Sequence, residues 1–132
     1  MSRKSNNTFT FRNRNPKNLL RAADCVARAI SLATGETWED VVMSITTFAL
    51  PMGRVFNEKE AYTKWLEHKG WQKQPMPRKS NGSKYTVREF AKLYPKGMYL
   101  VNVARHVTVV EDGIIYDTWD CGSRTVGNFY TK

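Results

Sequence analysis

The sequence predicts an α+β domain, with helices in the first half of the chain and an antiparallel sheet in the second. Three observations support this class. Apolar residues recur at helical spacing from residue 24 to about residue 69. Strand-like segments follow Gly97. Asp112 and Gly113 have the composition of a two-residue hairpin turn. A chain of 132 residues suits one such domain.

The beginning of the chain differs from the rest. Its first twenty or so residues are rich in Asn, Ser, Arg and Lys and show no apolar period. We therefore expect an extended basic arm at residues 1–23, followed by a single domain at residues 24–132.

Capping residues and apolar spacing predict four helices: Asp24 to Ala33, Thr37 to Phe48, about Glu58 to Lys69, and a short helix from Thr86 to before Pro95. Asp24 is the expected N-cap of the first helix, Cys25 is its first helical residue, and Gly35 ends it. Residues 72–84 are polar and broken by prolines, which predicts a loop.

Four segments after Gly97 have strand character: Met98 to Ala104, His106 to Glu111, Ile114 to Asp120, and Val126 to Tyr130. A two-residue turn between the middle pair makes Thr108 face Asp117 and His106 face Trp119. His106 and Asp117 are then diagonal neighbours on one face, about 7–8 Å apart at the backbone. A three-residue loop would instead turn Asp117 to the opposite face and make Asp120 the better acid.

Cys25, His106 and Asp117 follow one another in the order expected for a thiol hydrolase. A thiol at a helix N-terminus beside an imidazolium has a lowered pKa, which favours the nucleophilic thiolate. His106 would share the thiol proton and deliver it to a leaving amine. Asp117 would hold the imidazole in the correct tautomer, and Trp119 would shield the contact from water. The negative charge of Asp24 opposes thiolate formation.

Structural roles are the alternative for each of these residues. Cys25 could be a small buried apolar side chain, His106 a satisfied strand residue, and Asp117 an acceptor of backbone hydrogen bonds. Cysteine usage favours a free Cys25 thiol, with a bridge to Cys121 as the alternative. His68, near the end of the third helix, is expected to interact with the helix dipole. The chain lacks the cysteine and histidine spacings of zinc sites and the glycine-rich loops of phosphate sites, so no metal or cofactor is predicted.

The chain carries 21 Lys and Arg against 12 Asp and Glu, a formal charge of +9. This charge would attract a nucleic acid or an acidic protein, or serve solubility alone. No stretch approaches the roughly 20 apolar residues of a membrane span, and the start lacks the apolar segment of a secretory signal. We therefore expect no membrane partner and a cytoplasmic protein.

Two groups of motifs carry a family resemblance. The segment from Asp24 to Ile30, followed after a long gap by His106 to Val110 and Tyr116 to Asp120, resembles the papain-like cysteine peptidase superfamily. The resemblance is closest to bacteriocin-leader-processing peptidases and to small papain-like proteins of bacteriophages. It covers residues 24–33 and about 98–120. It implies a nucleophile helix packed on a C-terminal sheet, with Cys25 as nucleophile, His106 as base and Asp117 as orienting acid.

One position departs from this resemblance. The family usually has a glutamine six residues before the cysteine, whose amide stabilises the oxyanion, and Leu19 occupies that position here. Asn18, one residue further away, is the candidate substitute.

These observations together predict a papain-like cysteine hydrolase that acts on peptide or isopeptide bonds through a thioester. Acyl transfer and deamidation are the nearest chemical variants, because water and an amine compete for one acyl-enzyme. A phage-encoded protein would act in the host cytoplasm. The alternative is a noncatalytic basic protein that binds a host protein or nucleic acid.

Overall fold

Helices cover both faces of a six-stranded mixed sheet in the computed structural model, which describes residues 3–132. The helices are α1 (Cys25–Thr34), α2 (Trp38–Ala49), α3 (Lys59–His68) and α4 (Val87–Leu93). The strands are β1 (Phe9–Phe11), β2 (Gln72–Gln74), β3 (Met98–Val103), β4 (His106–Glu111), β5 (Ile114–Asp117) and β6 (Phe129–Thr131). The predicted α+β class is confirmed.

The core divides into two layers because successive strand residues point to opposite faces of the sheet. On one face, Leu100 and Val109 pack with the apolar sides of α1, α2 and α3. On the other, Val101 and Val110 pack with α4 and with Phe9. Helix α1 lies against β4 and β3, which places its first residue beside the central strands.

Local sequence sets the helix ends. The Thr37 side chain accepts a hydrogen bond from the Asp40 amide at 3.0 Å, and Thr86 and Glu89 form a capping box. Gly35 ends α1 in the left-handed region, at φ 79°. The four predicted helices are therefore confirmed, with ends within one or two residues of the expected ones.

The hairpin between β4 and β5 has the predicted register. Asp112 and Gly113 are the two turn residues, with φ of 50° and 79°, and Glu111 pairs with Ile114. Two positive φ values are what this class of tight turn requires. His106, the first residue of β4, and Asp117, the last of β5, consequently lie at the same end of the sheet.

The sheet is mixed, however, and not antiparallel as predicted. The strand order is β1-β5-β4-β3-β6-β2, and β1 pairs with β5 in parallel. Strand β1 lies within the predicted arm, where Phe9 is fully buried and its two neighbours Thr10 and Phe11 pair with β5. The first two residues of that arm, Met1 and Ser2, lie outside the described residues.

The predicted loop at residues 72–84 begins with a strand. Gln72–Gln74 forms β2 and pairs with β6 at the sheet edge. The expected loop was wrong here because a three-residue edge strand of polar and mostly exposed residues has almost no apolar pattern. Strand β5 ends at Asp117, three residues earlier than predicted, and β6 covers only Phe129–Thr131.

No helix within residues 3–132 combines the length and the apolar character that crossing a membrane requires.

The buried position of Phe9 makes the β1 segment part of the fold. We expect Phe9→Ala to lower the free energy of unfolding by about 3–5 kcal/mol, because it removes a fully buried aromatic side chain and leaves a cavity. Urea denaturation measures this change. The matched control is Leu50→Ala, at a residue 69% exposed, with an expected change within about 0.5 kcal/mol. Equal effects of the two substitutions would show that β1 contributes nothing to stability.

Candidate active site

Cys25 is the first residue of α1 and is only partly buried. Asp24 occupies the N-cap position, but its side chain makes no capping hydrogen bond. The amide groups of the first helical turn therefore keep their partial positive charge next to the sulfur.

His106 and Asp117 meet across the hairpin as the sequence predicts. The Nε2 atom of His106 lies 2.6 Å from Oδ2 of Asp117, and only 9% and 3% of the two side chains are exposed. Because Nε2 is engaged by the carboxylate, Nδ1 is the ring nitrogen left for the thiol. An imidazole base needs this arrangement, in which a carboxylate binds one ring nitrogen and the other faces the reacting group.

The thiol of Cys25 interacts with the same imidazole. Burial raises the pKa of Cys25, but the hydrogen bond and charge of His106 outweigh it, with further help from the Val107 backbone and the Arg28 charge. The net result is a pKa below the ordinary value of 9.0. The surroundings of the sulfur thus favour the thiolate.

The opposite shift applies to the imidazole. Burial lowers the pKa of His106, but hydrogen bonds to Asp117, Cys121 and Cys25 and the charge of Asp117 raise it to about 11. In turn, burial raises the pKa of Asp117, and the hydrogen bond and charge of His106 bring it below its usual value. The three groups together favour a thiolate, an imidazolium and a carboxylate.

Arg28 connects the nucleophile helix to this carboxylate. Its Nη1 atom donates to Oδ1 of Asp117 at 3.1 Å and to Oγ1 of Thr118 at 2.9 Å. Its Nε atom donates to Oδ1 of Asp24 at 2.8 Å. One guanidinium therefore joins the start of α1 to the end of β5.

The second oxygen of Asp24 is also occupied. Oδ2 accepts hydrogen bonds from Nδ2 of Asn15 at 2.9 Å and from Nε1 of Trp38 at 3.0 Å. The Asp24 carboxylate, which lies next to Cys25 in the sequence, is thus hydrogen-bonded to one cation, Arg28, and to two neutral donors. This arrangement reduces its opposition to thiolate formation.

Three further side chains lie near the pair formed by His106 and Asp117. The Trp119 ring lies 4.9 Å from the His106 ring between centroids, and the Arg124 guanidinium lies 5.5 Å from the centre of the indole. The buried Cys121 sulfur is 3.9 Å from Oδ2 of Asp117. Trp119 therefore stands where the sequence predicted a shield, and both cysteines are free thiols.

Two clefts meet at Cys25 and His106. One, of about 380 Å³, runs along residues 20–23 and is bordered by Arg3, Arg105 and Trp119. The other, of about 240 Å³, lies on the side of α3 and β3. An extended chain crossing the sulfur could occupy both.

Asn18, the predicted oxyanion residue, lines neither cleft. It is exposed, and its backbone adopts a left-handed conformation at φ 56°. Its amide donates to the Asn15 carbonyl at 3.0 Å within a turn. Asn18 is thus part of a turn before Cys25 and does not border the clefts at the sulfur.

The other candidates lie elsewhere. Asp120, the alternative acid, is within 3.6 Å of Arg88, and its other oxygen holds the Gly122 amide. His68 ends α3, as expected for a dipole partner, and its ring lies 5.3 Å from that of Phe48. Asp117 is the acid that reaches His106.

His106, Asp117 and Cys121 place three possible metal-ligand atoms within 4.8 Å of one another. Two zinc ligands that each lie about 2 Å from the ion, on different sides of it, are farther from each other than a hydrogen bond. His106 Nε2 and Asp117 Oδ2 are only 2.6 Å apart, which is a hydrogen-bond distance. These two atoms therefore share a proton.

Arg28 and Cys121 are the site residues that sequence reasoning missed. The four-residue spacing of Asp24 and Arg28 on one helix face is a readable signal for their ion pair. The contact from Arg28 to Asp117 spans 89 positions and has no local signature.

Comparison of the chain with protein-family models, curated proteins and solved structures gave no match.

The pKa directions give a test with a thiol reagent. We expect the rate of Cys25 alkylation by iodoacetamide to stay near its plateau as the pH falls below 9, because the thiolate persists down to the lowered pKa. In His106→Ala the main group that lowers the pKa of Cys25 is gone, and burial still raises that pKa. The midpoint of the alkylation profile should therefore move to higher pH. Mass spectrometry of the labelled peptides separates Cys25 from the buried Cys121. Identical midpoints in the two proteins would contradict the proposed coupling.

The Arg28 bridge predicts a stability effect. Arg28→Met leaves two buried carboxylates without their cation and should lower the free energy of unfolding by about 3–5 kcal/mol. Arg54→Met is the matched control, since Arg54 and Glu58 form a pair of the same spacing whose side chains are 49% and 39% exposed. That substitution should leave the denaturation curve close to that of the wild-type protein, because an exposed ion pair is screened by solvent. Denaturation curves in which the two variants coincide would refute the bridge.

Proposed function

We propose that the protein is a papain-like cysteine hydrolase that cleaves peptide or isopeptide bonds of a peptide or protein substrate. The observation that carries the proposal is the buried contact between His106 and Asp117, together with the hydrogen bond of the same imidazole to the partly buried Cys25. The order of the three residues in the chain and the helical position of the cysteine also support it.

The reaction follows from these positions. The Cys25 thiolate attacks the substrate carbonyl carbon, and a sulfur–carbon bond forms while the carbonyl electrons move to oxygen. When the intermediate collapses, the carbon–nitrogen bond breaks and the amine leaves with the proton from His106. Water then gives a proton to His106 and attacks the thioester, which releases a carboxylic acid and restores the thiolate.

The same thioester permits two variants. If an amine replaces water in the second step, the product is a new amide, which is acyl transfer. If the substrate is a side-chain amide, the leaving group is ammonia and the reaction is deamidation. Hydrolysis is preferred here because both clefts open to solvent beside the sulfur.

Backbone groups can supply an oxyanion donor in this protein. The Cys25 amide lies at the start of α1, where the helix itself provides it no acceptor. In that position it can donate to an oxyanion formed at the neighbouring sulfur. Leu19, at the family's glutamine position, is 53% exposed and contributes no donor.

The reaction should require an aspartate, and not an asparagine, at position 117. Oδ1 of Asp117 accepts from Arg28 and from the Thr118 amide, so an asparagine would have to place its carbonyl oxygen there. Its NH₂ group would then face Nε2 of His106. An imidazole that accepts this hydrogen bond holds its own proton on Nδ1, which is the wrong tautomer for a base.

The proposal predicts cleavage of random octapeptides in two pools, one with amidated and one with free C-termini, with products identified by mass spectrometry. Acid quenching should reveal an acyl adduct on Cys25. Cys25→Ala should abolish cleavage, and Asp117→Asn should lower the rate by about a hundredfold or more. His68→Ala is the control that should leave the rate unchanged, because His68 lies on α3 outside both clefts.

Failure of the wild-type protein to cleave any peptide or to form an adduct would overturn the hydrolase. A noncatalytic protein that binds an acidic partner through its positive charge would then be the better account. Binding that weakens with salt and survives Cys25→Ala would be its signature.

A further inference from the structure

The smaller cleft at Cys25 has an unusual wall. This cleft, of about 240 Å³, borders the sulfur and the His106 ring on the side of α3 and β3. The rest of its polar wall consists of five residues: Asn57, Lys59, Tyr62, Asn102 and Arg105. Among the described residues, no Asp or Glu lines it.

Asn102 is the most informative of these residues. It lies within β3 and is 7% exposed, and its side-chain NH₂ group has no hydrogen-bond partner. Its backbone is fully used, because the amide donates to Asn128 and the carbonyl accepts from Gly127. A buried donor without a partner destabilises a fold, so an acceptor from outside the chain that reached this NH₂ group would relieve that cost.

Two cationic residues, Lys59 and Arg105, line the same cleft. Within residues 3–132, neither Lys59 nor Arg105 forms an ion pair. The acids next to Lys59 in sequence are directed elsewhere, since Glu58 pairs with Arg54 and Glu60 with Lys64. The Lys59 ammonium is thus left available to a ligand.

The remaining polar groups add to this donor set. Asn57 shares the wall and uses one amide hydrogen on the Ala23 carbonyl at 3.1 Å. Burial raises the pKa of Tyr62 to about 12, so its hydroxyl keeps its proton and can donate. A wall of donors and cations without an acid complements a group that only accepts hydrogen bonds and carries negative charge.

We propose that this cleft is a carboxylate-binding subsite, which selects a substrate with a carboxylate next to the scissile bond. The inference rests on the proposed hydrolase function and specifies its substrate class. The Asn102 amide donates to one carboxylate oxygen, while Lys59 and Arg105 supply the opposite charge. The carboxylate belongs either to an Asp or Glu side chain or to the free C-terminus of the substrate.

Binding to an inactive protein tests this independently of turnover. Cys25→Ala protein is used to capture peptides at physiological ionic strength from two random octapeptide pools, one with amidated and one with free C-termini. We expect captured peptides to be enriched at least about tenfold in Asp and Glu over Asn and Gln at one position, or in free over amidated C-termini. The first result assigns the carboxylate to a side chain, the second to a chain end.

A second substitution locates the effect. Adding Lys59→Met should reduce the enrichment to less than half, whereas adding Lys92→Met, which removes the same charge from α4, should leave it unchanged. Adding Asn102→Ala should also reduce it in protein shown to be folded by circular dichroism. Absence of enrichment in both pools, or enrichment that Lys59→Met and Lys92→Met lower equally, would overturn the subsite. Cleavage by the wild-type protein without any preference for acids would leave the hydrolase standing and remove only this inference.

Discussion

The Asp117 carboxylate is the group on which the rest of the site depends. It is 5% exposed, and burying a charge so deeply is costly unless every lone pair is used. Oδ2 holds the His106 ring, and Oδ1 holds Arg28 and the Thr118 amide. One carboxylate therefore orients the base and also anchors the helix that carries the sulfur.

This double use has an electrostatic consequence. Asp24 and Asp117 are two buried carboxylates that share one guanidinium, Arg28, so these three groups carry a net charge of −1 while His106 is neutral. A neighbouring negative charge favours a proton on an imidazole. Burial lowers the pKa of His106, but its hydrogen bonds to Asp117, Cys121 and Cys25 and the charge of Asp117 raise it above the ordinary value, and the imidazolium in turn favours the thiolate of Cys25.

Short-range chemistry was readable from the sequence. Asp112 and Gly113 define their turn by the φ angles that they tolerate, and this turn alone fixed the register that joins His106 to Asp117. Thr37 and Gly35 likewise marked helix ends. In each case the deciding interaction lies within a few positions of the residue that signals it.

Long-range pairing was not readable. Phe9–Phe11 becomes a strand only because β5, more than 100 positions later, offers a free parallel edge, and three residues have no periodicity to detect. The same holds for the contact between Arg28 and Asp117. The position of Asn18 relative to Cys25 in the sequence suggests an oxyanion donor, but Asn18 lies in a turn with Asn15 and borders neither cleft. Distance along an irregular segment does not give position in space.

The N-cap of α1 shows how stability and reactivity are balanced at one residue. An Asp at this position ordinarily accepts a hydrogen bond from the first helical turn, which stabilises the helix by about 1 kcal/mol. Asp24 instead gives both oxygens to Arg28, Asn15 and Trp38. The helix loses a cap and gains a tether to the rest of the protein.

The uncapped turn leaves its amide groups without a side-chain acceptor at the end of the helix that carries Cys25. A side-chain cap would have placed a carboxylate among these amides and raised the thiol pKa. The contact of Asp24 with Arg28 therefore has two effects: it holds the cation that also pairs with Asp117, and it places a positive charge against the Asp24 carboxylate beside the nucleophile. A helix start built for stability alone would have used its Asp in the opposite way.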